Sequence, residues 1–332
     1  MDRRDLMRYR LEWVDLLRGI AMLLVIWGHV DRTNYLFFAI TGPFKMPLFF
    51  AITGYVFNDR NGNLKTFFSK LVRSIVVPWV ILSLVWLKLL YAVLQGKFSN
   101  IPVYVYNFIS GKDLWFMPCI IIAEVFFFFV LKVTSKAQIR VLIMITIGAL
   151  GIVMSEIGVG RFAMIDVACT AQLYLLFGYW FKTNELPLRK LLSVSNCLAL
   201  GIVYLGLLIL SMKMYPGSSI DVHTNRYYNY PLCMTMIFVS LLFLFAVAPW
   251  IKVKLNWIKF VGRNTLIFYI AHYHARSLLS HGINYVGLSI PQTFMSNVLV
   301  FAYICISMSI VSLAVNRWAP FILGRSKRTT IL

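Results

Sequence analysis

The chain has 332 residues, 60% of them hydrophobic and 16% aromatic, and its 32 Lys and Arg outnumber 12 Asp and Glu to give a formal net charge of +20. A mean hydropathy of +0.77 excludes a soluble globular domain, and the apolar runs are too many for one soluble core to absorb. The basic excess sits between those runs, where it reports orientation and anionic lipid headgroups and argues against nucleic acid as a partner.

Taken in chain order, hydropathy and charge predict ten helical spans, at 11–30, 35–57, 71–94, 114–131, 141–157, 162–181, 191–212, 230–251, 260–280 and 293–316. The expectation is an all-α integral membrane protein, about ten transmembrane helices in a single bundle, with residues 1–332 forming one domain. Alternate connections hold Arg3, Arg4, Arg8 and Arg10; Arg60, Lys65, Lys70 and Arg73; Lys132, Lys136 and Arg140; Lys182, Arg189 and Lys190; Lys252, Lys254, Lys259 and Arg263; and Arg317, Arg325, Lys327 and Arg328. These are 22 basic residues, against six in the other five connections (Arg32, Lys97, Lys112, Arg161, Lys213 and Arg226). By the positive-inside rule both termini are cytoplasmic. No cleavable signal peptide is expected, because Asp31 and Arg32 follow the first apolar run without a small-residue cleavage site. Cys119, Cys169, Cys197, Cys233 and Cys305 form no CxxC pair and read as small core hydrophobes.

The first span carries Asp15, Arg18 and His29 in its apolar run. A charge at the bilayer centre costs about 2.5 to 3.5 kcal/mol on insertion scales, so these groups must face protein, water or a ligand. Asp15 and Arg18 are i,i+3, and His29 follows Arg18 by eleven residues, about 20° from three whole turns. All three share one stripe. Spacing alone leaves two readings open: an Asp15–Arg18 pair with His29 at the outer interface, or a working site.

The run WVDLLRGIAMLLVIWGH, with an Arg followed after ten residues by a His, resembles the signature of the acyltransferase-3 membrane family, which O-acylates bacterial surface glycans and other extracytoplasmic acceptors. The resemblance continues in MPLFFAITGYVF, similar to the family's second helix with Thr53 in place of the usual Ser. It extends to FFSKLVRSIVVPW, like the basic inner loop that leads into the third helix, and to LWFMPCIIIAE, similar to the fucose-O-acetylase-like branch. It implies an O-acyltransferase, read as an O-acetyltransferase, that takes acetyl-CoA or another acyl-CoA from the cytoplasm as co-substrate, with no tightly bound cofactor. The acceptor is then a hydroxyl of a bacterial surface polysaccharide or its lipid-linked precursor, and the location the bacterial cytoplasmic (inner) membrane. No stretch is long enough for an appended extracellular domain, so the membrane domain is expected to handle the glycan alone.

The resemblance also implies that Arg18 and His29 are the essential pair. His29 has the titration range of a general base, and it could equally carry the acyl group transiently. Arg18 is expected on the donor, with Asp15 orienting it. Lys70 and Arg73 are i,i+3 and could present two cations to the coenzyme A phosphates, Arg73 more strongly because it matches a basic family position. Arg18 and His29 lie about 16 Å apart along a helix, so the pantetheine arm would thread from one to the other. The acceptor would then arrive from outside, under the loops at 95–113 and 213–229.

Pocket or acceptor candidates are Trp115, Glu124, Tyr55, His272, His274 and Arg276. Glu124 is an acid within an apolar run, and Trp115 is a candidate wall of the acyl pocket or an interfacial anchor. In YIAHYHARSLLSH, His272 and Arg276 share one face and His274 and His281 another; two His seven residues apart do not make a zinc site, so no metal is expected. The segment DVHTNRYYNYP offers aromatics and hydrogen-bonding groups suited to sugars or to an aromatic belt. The rival class is a membrane transporter of a small or lipid-linked substrate, which an inverted repeat or matching broken helices would favour. A lipid- or peptide-directed acyltransferase would differ only in its acceptor.

Overall fold

Nine helices of the computed structural model are long and apolar enough to cross a bilayer, among the described residues 3–58, 63–251, 254–291 and 293–325. The chain opens with α1 (Arg3–Val30), and a second span follows that is bent into α2 (Tyr35–Lys45) and α3 (Pro47–Val56). The bend falls at Met46 because Pro47 has no N–H to continue the ladder. The third span, Leu64–Leu94, is built from α4 (Leu64–Leu71), α5 (Val77–Trp79) and α6 (Leu90–Leu94), joined by π-helical stretches at Val72–Val76 and Val80–Leu89. It starts seven residues before the predicted 71, since the basic first turns hid its onset from hydropathy. A short helix that was not predicted, α7 (Ile101–Ser110), follows.

The remaining helices are α8 (Phe116–Val133), α9 (Ala137–Glu156), α10 (Ile165–Thr183), α11 (Glu185–Leu191), α12 (Val194–Met214), α13 (Tyr230–Val247), α14 (Asn256–Arg263), α15 (Thr265–Tyr285) and α16 (Phe294–Trp318). Six of them lie within four residues of predicted spans. The span expected at 260–280 is instead two helices, broken at Asn264 (φ −114°, ψ 20°). Of these, α15 has the length to cross, yet His272, His274, Arg276, His281 and Asn284 make it too polar to count among the nine.

Two close crossings fix the centre of the bundle. A Cβ on Gly178 would lie 1.8 Å from the Ala51 carbonyl oxygen, and one on Gly54 would lie 2.0 Å from that of Leu175, so α3 and α10 touch backbone to backbone. In the same way Gly19 and Gly262 let α1 and α14 meet, at 2.0 Å from the Ile258 oxygen and 1.8 Å from the Asp15 oxygen. Around these crossings packs one aromatic-rich core that includes Phe50, Tyr55, Phe127, Tyr174, Phe181 and Phe245. All five cysteines are free and buried in the bundle.

The six basic connections gather at one end. Lys259 pairs with Glu12 (2.9 Å), Arg325 donates to the Arg263 oxygen (2.6 Å), and Gly324 packs on the Arg73 backbone. Arg189 lies over the Trp13 ring, Lys182 donates to the Phe57 oxygen, and Phe128 beside the Lys132 connection stacks on Phe67 at 4.1 Å. The C-terminal stretch therefore emerges beside the early turns of α1. Arg60, Lys252, Lys327 and Arg328 of these connections lie outside the described residues.

Candidate active site

At the basic end a cavity of about 360 Å³ lies between α1, α3, α4, α8 and the start of α15. Its polar lining is Arg18, Thr53, Asn58, Lys70, Ser74, Glu124 and Thr265; Met22, Phe49, Phe116, Met117 and Tyr269 supply apolar wall. Lys70, Leu71, Ser74 and Ile75, spaced i, i+1, i+4 and i+5, present one helical face to the cavity, continuous across the junction between α4 and the π-helical turn at Val72–Val76. Glu124 is electrostatically coupled to Lys70 and Arg18. Two cations and one carboxylate thus meet in a pocket whose size suits a small organic ligand.

The sequence-selected residues divide into three groups. Arg18, Lys70 and Glu124 share the cavity. His29, His272 and Arg276 meet at a second centre, described below. The rest stand apart. Asp15 makes no hydrogen bond to Arg18 among the described residues; its nearest cation is Arg263 at 4.0 Å, carried there by the Gly262 crossing, although its charge still reaches Arg18. Arg73 is exposed and does not line the cavity. Tyr55 points into the core, where its hydroxyl donates to Glu185 (2.9 Å) beside the Trp13 ring. Trp115 packs against His223 at 5.3 Å, leaving its neighbour Phe116 to line the cavity. On α15, His274 turns toward the third span and feels the Lys88–Asp113 ion pair.

The second centre lies beyond the cavity's far wall. Met22 lines the cavity, and His29 stands seven residues further along α1, about 10 Å up the helix axis. Its ring stacks on His272 (5.1 Å, 25°) and tilts against Tyr273 (4.7 Å). Tyr273 Oη sits 2.9 Å from His29 Nδ1 and accepts from Arg32 Nη2 at 3.1 Å, so Nε2 is the nitrogen left for chemistry. A guanidinium N–H of Arg276 donates to the His29 carbonyl oxygen. Lys45 lies over the Phe38 ring (4.5 Å), close to the Gly28 backbone.

His272 is 2% exposed, and its Nδ1 lies 3.0 and 2.8 Å from the Phe268 and Tyr269 carbonyl oxygens. Carbonyls only accept, so Nδ1 carries the proton and the neutral ring presents a lone pair at Nε2. That nitrogen has no partner among the described residues. Tyr269 both lines the cavity and accepts the Phe116 N–H at 3.2 Å. Tyr269, His272, Tyr273 and Arg276, at i, i+3, i+4 and i+7, therefore form a polar stripe that runs from the cavity to His29. Tyr273, Arg32 and Tyr269 were not selected from the sequence. The signal for Tyr273 and Tyr269 lay in that same spacing, whereas nothing in the pattern marked Arg32.

The loop suited to sugars is occupied otherwise. Asn225 is fully buried, and its amide donates to the Gly151 oxygen (3.1 Å), the Asp166 oxygen (3.3 Å) and Thr170 Oγ1 (3.0 Å). Arg161 clamps the loop through Asp166 (2.7 Å) and the His223 oxygen (2.8 Å). Burial pushes the pKa of His223 below the usual histidine range, with neighbouring Asp221 opposing the shift. The segment caps α9 and α10.

A family model described as an acyltransferase domain, that of the acyltransferase-3 family, matches residues 11–317. No curated protein and no solved structure matches the chain.

Proposed function

The chain belongs to the acyltransferase-3 family and is a membrane O-acyltransferase, and from that premise we propose that it moves acetyl from cytosolic acetyl-CoA to a hydroxyl of a bacterial surface polysaccharide or its lipid-linked precursor. The observation that carries this reading is the pair of polar centres on α1: a cation-lined cavity at the basic end and a histidine cluster toward the other. By the positive-inside rule the cavity faces the cytoplasm, and in this reading the membrane is the bacterial inner membrane.

Arg18 and Lys70 attract the donor's phosphates, and Arg73, exposed one turn on, adds charge at the same end. Glu124 keeps the cationic pocket from holding an anion too tightly to release it. The pantetheine arm passes Met22, Phe116 and Tyr269 to bring the thioester carbonyl to His29. In this reading His29 is the tautomer whose Nδ1–H donates to Tyr273 Oη, the oxygen that also accepts from Arg32, which leaves Nε2 unprotonated. That nitrogen takes the acceptor hydroxyl's proton as the oxygen attacks the carbonyl carbon. The tetrahedral oxyanion develops near Arg276, Arg32 and Lys45, the C–S bond breaks, and the departing thiolate takes up the proton. A transient acyl-histidine uses the same groups, with Nε2 as the first attacking atom.

The test is His29→Ala in lipid nanodiscs, supplied with radiolabelled acetyl-CoA and alkali-deacylated surface glycan of the source cells. Loss of a general base should lower transfer by about a hundredfold or more, with acetyl-CoA affinity unchanged. Wild-type transfer rates in the variant would overturn the mechanism.

A further inference from the structure

A second cavity, of about 180 Å³, lies next to the histidine cluster between the end of α1, the last turns of α15 and the start of α16. Arg276, Ser280, Asn284 and Asn297 line it, together with the aliphatic side chains of Val30, Ile290 and Val300. Arg276, Ser280 and Asn284 are spaced i, i+4, i+8 and so prolong the stripe that begins at Tyr269. Among the described residues, the side chains of Ser280, Asn284 and Asn297 make no hydrogen bond to protein. Two carboxamides and a hydroxyl thus converge beside Arg276 near the end of two membrane helices, Asn284 exposed and Ser280 and Asn297 half-buried, so their polar groups are open to a ligand entering from the surface.

We propose that this cavity is the acceptor subsite and takes a single sugar ring of the glycan; the inference rests on the acyl-transfer reading above. Each sugar hydroxyl both donates and accepts, and the lining offers both: carboxamide oxygens and the Ser280 oxygen accept, while carboxamide and guanidinium N–H groups donate. The aliphatic side chains face the C–H surface of the ring. The volume is below the range for extended ligands, so one ring enters and the rest of the glycan stays outside. Among the described residues the only charged group lining the cavity is the Arg276 guanidinium, which favours a neutral or anionic occupant over a cation. Arg276 is shared. It holds the His29 carbonyl and forms one wall of the subsite, so a seated sugar borders the residue that positions the catalytic helix end. Acceptor approach is thereby assigned to the α15–α16 side, away from the internally bonded loop at 221–231.

The experiment measures binding without acyl-CoA, by surface plasmon resonance on nanodisc-embedded protein. Two probes are used: deacylated polymeric surface glycan of the source cells and its polyprenyl-linked repeat unit. Wild-type protein is expected to bind at least one, and which one identifies the form in which the acceptor is presented. Asn284→Ala with Asn297→Ala should weaken that binding by about tenfold to a hundredfold, for two lost hydrogen-bonding groups, while acetyl-CoA binding in the same discs is unchanged. Asn297→Asp, which keeps shape and an acceptor oxygen, should lose less than Asn297→Ala. Equal glycan binding by the double variant and wild type, or no binding of either probe by wild type, overturns the subsite. Lost binding in the variant together with no acyl transfer by wild type sustains the subsite and overturns the reaction.

Discussion

His29 and His272 stack on each other, yet their nitrogens have different surroundings. His29 has a phenol at Nδ1, whereas His272 has two carbonyls there and an Nε2 lone pair with no partner among the described residues. His272→Phe preserves the stack and removes the lone pair, so kcat is expected to fall about tenfold or more if that nitrogen assists proton movement, with the acetyl-CoA KM unchanged; steady-state kinetics in nanodiscs checks it. Tyr273→Phe keeps the ring contact and removes the tautomer control, so it should lower kcat without changing either KM, whereas a packing role would leave kcat as it is. On the donor side, Lys70→Ala is expected to raise the acetyl-CoA KM by about tenfold and Arg73→Ala by much less, because Lys70 lines the cavity and Arg73 does not. The sequence favours Arg73, which matches a basic family position. The cavity that Lys70 lines and Arg73 does not is formed by packing of the third span against α1 and α8, which hydropathy does not report, so the order of the two was not legible there.

The membrane helices are legible because about 20 apolar residues announce a span whatever its neighbours do. Their interruptions are less so. Pro47 marks a bend, but at Asn264, which ends α14 and begins α15, there is no proline, and the nearby Gly262 serves the crossing with α1. Nor does the sequence separate a glycine that admits a ligand from one that admits a helix; Gly19 proves to be the latter. Gly178→Val places side-chain atoms where the Ala51 carbonyl stands, and should cost more than the roughly 1 to 3 kcal/mol of ordinary overpacking, seen as loss of monodisperse protein after detergent extraction. Asn225→Ala removes three hydrogen bonds of a buried amide and leaves their acceptors unmatched. A loss of about 1 to 3 kcal/mol is expected, read as a lowered Tm with kcat retained, because the loop is a cap and not part of either polar centre.

For the whole molecule, the two centres sit at different depths and should be reached from opposite faces. Thr33 is exposed just past His29, and Ser74 lines the donor cavity. Thr33→Cys is expected to react with an impermeant maleimide added outside intact spheroplasts, and Ser74→Cys only in inverted vesicles, where acetyl-CoA should protect it. Labelling of both from one face would remove the transmembrane relay. Placing basic connections at one end was within reach of composition, since charge follows orientation closely; joining the two centres required the packing of α15 beside α1, which spacing along the chain does not reveal. That stripe has a consequence for how the protein is made. Three imidazoles, a guanidinium and a carboxamide make α15 the segment least able to partition from the translocon into lipid as a lone helix. Its strongly apolar successor α16, which packs along it, would carry it in as a hairpin. Ribosome-bound chains halted before residue 294 should therefore leave α15 exposed to the aqueous compartment, and the catalytic architecture would close only after the last span has been synthesised.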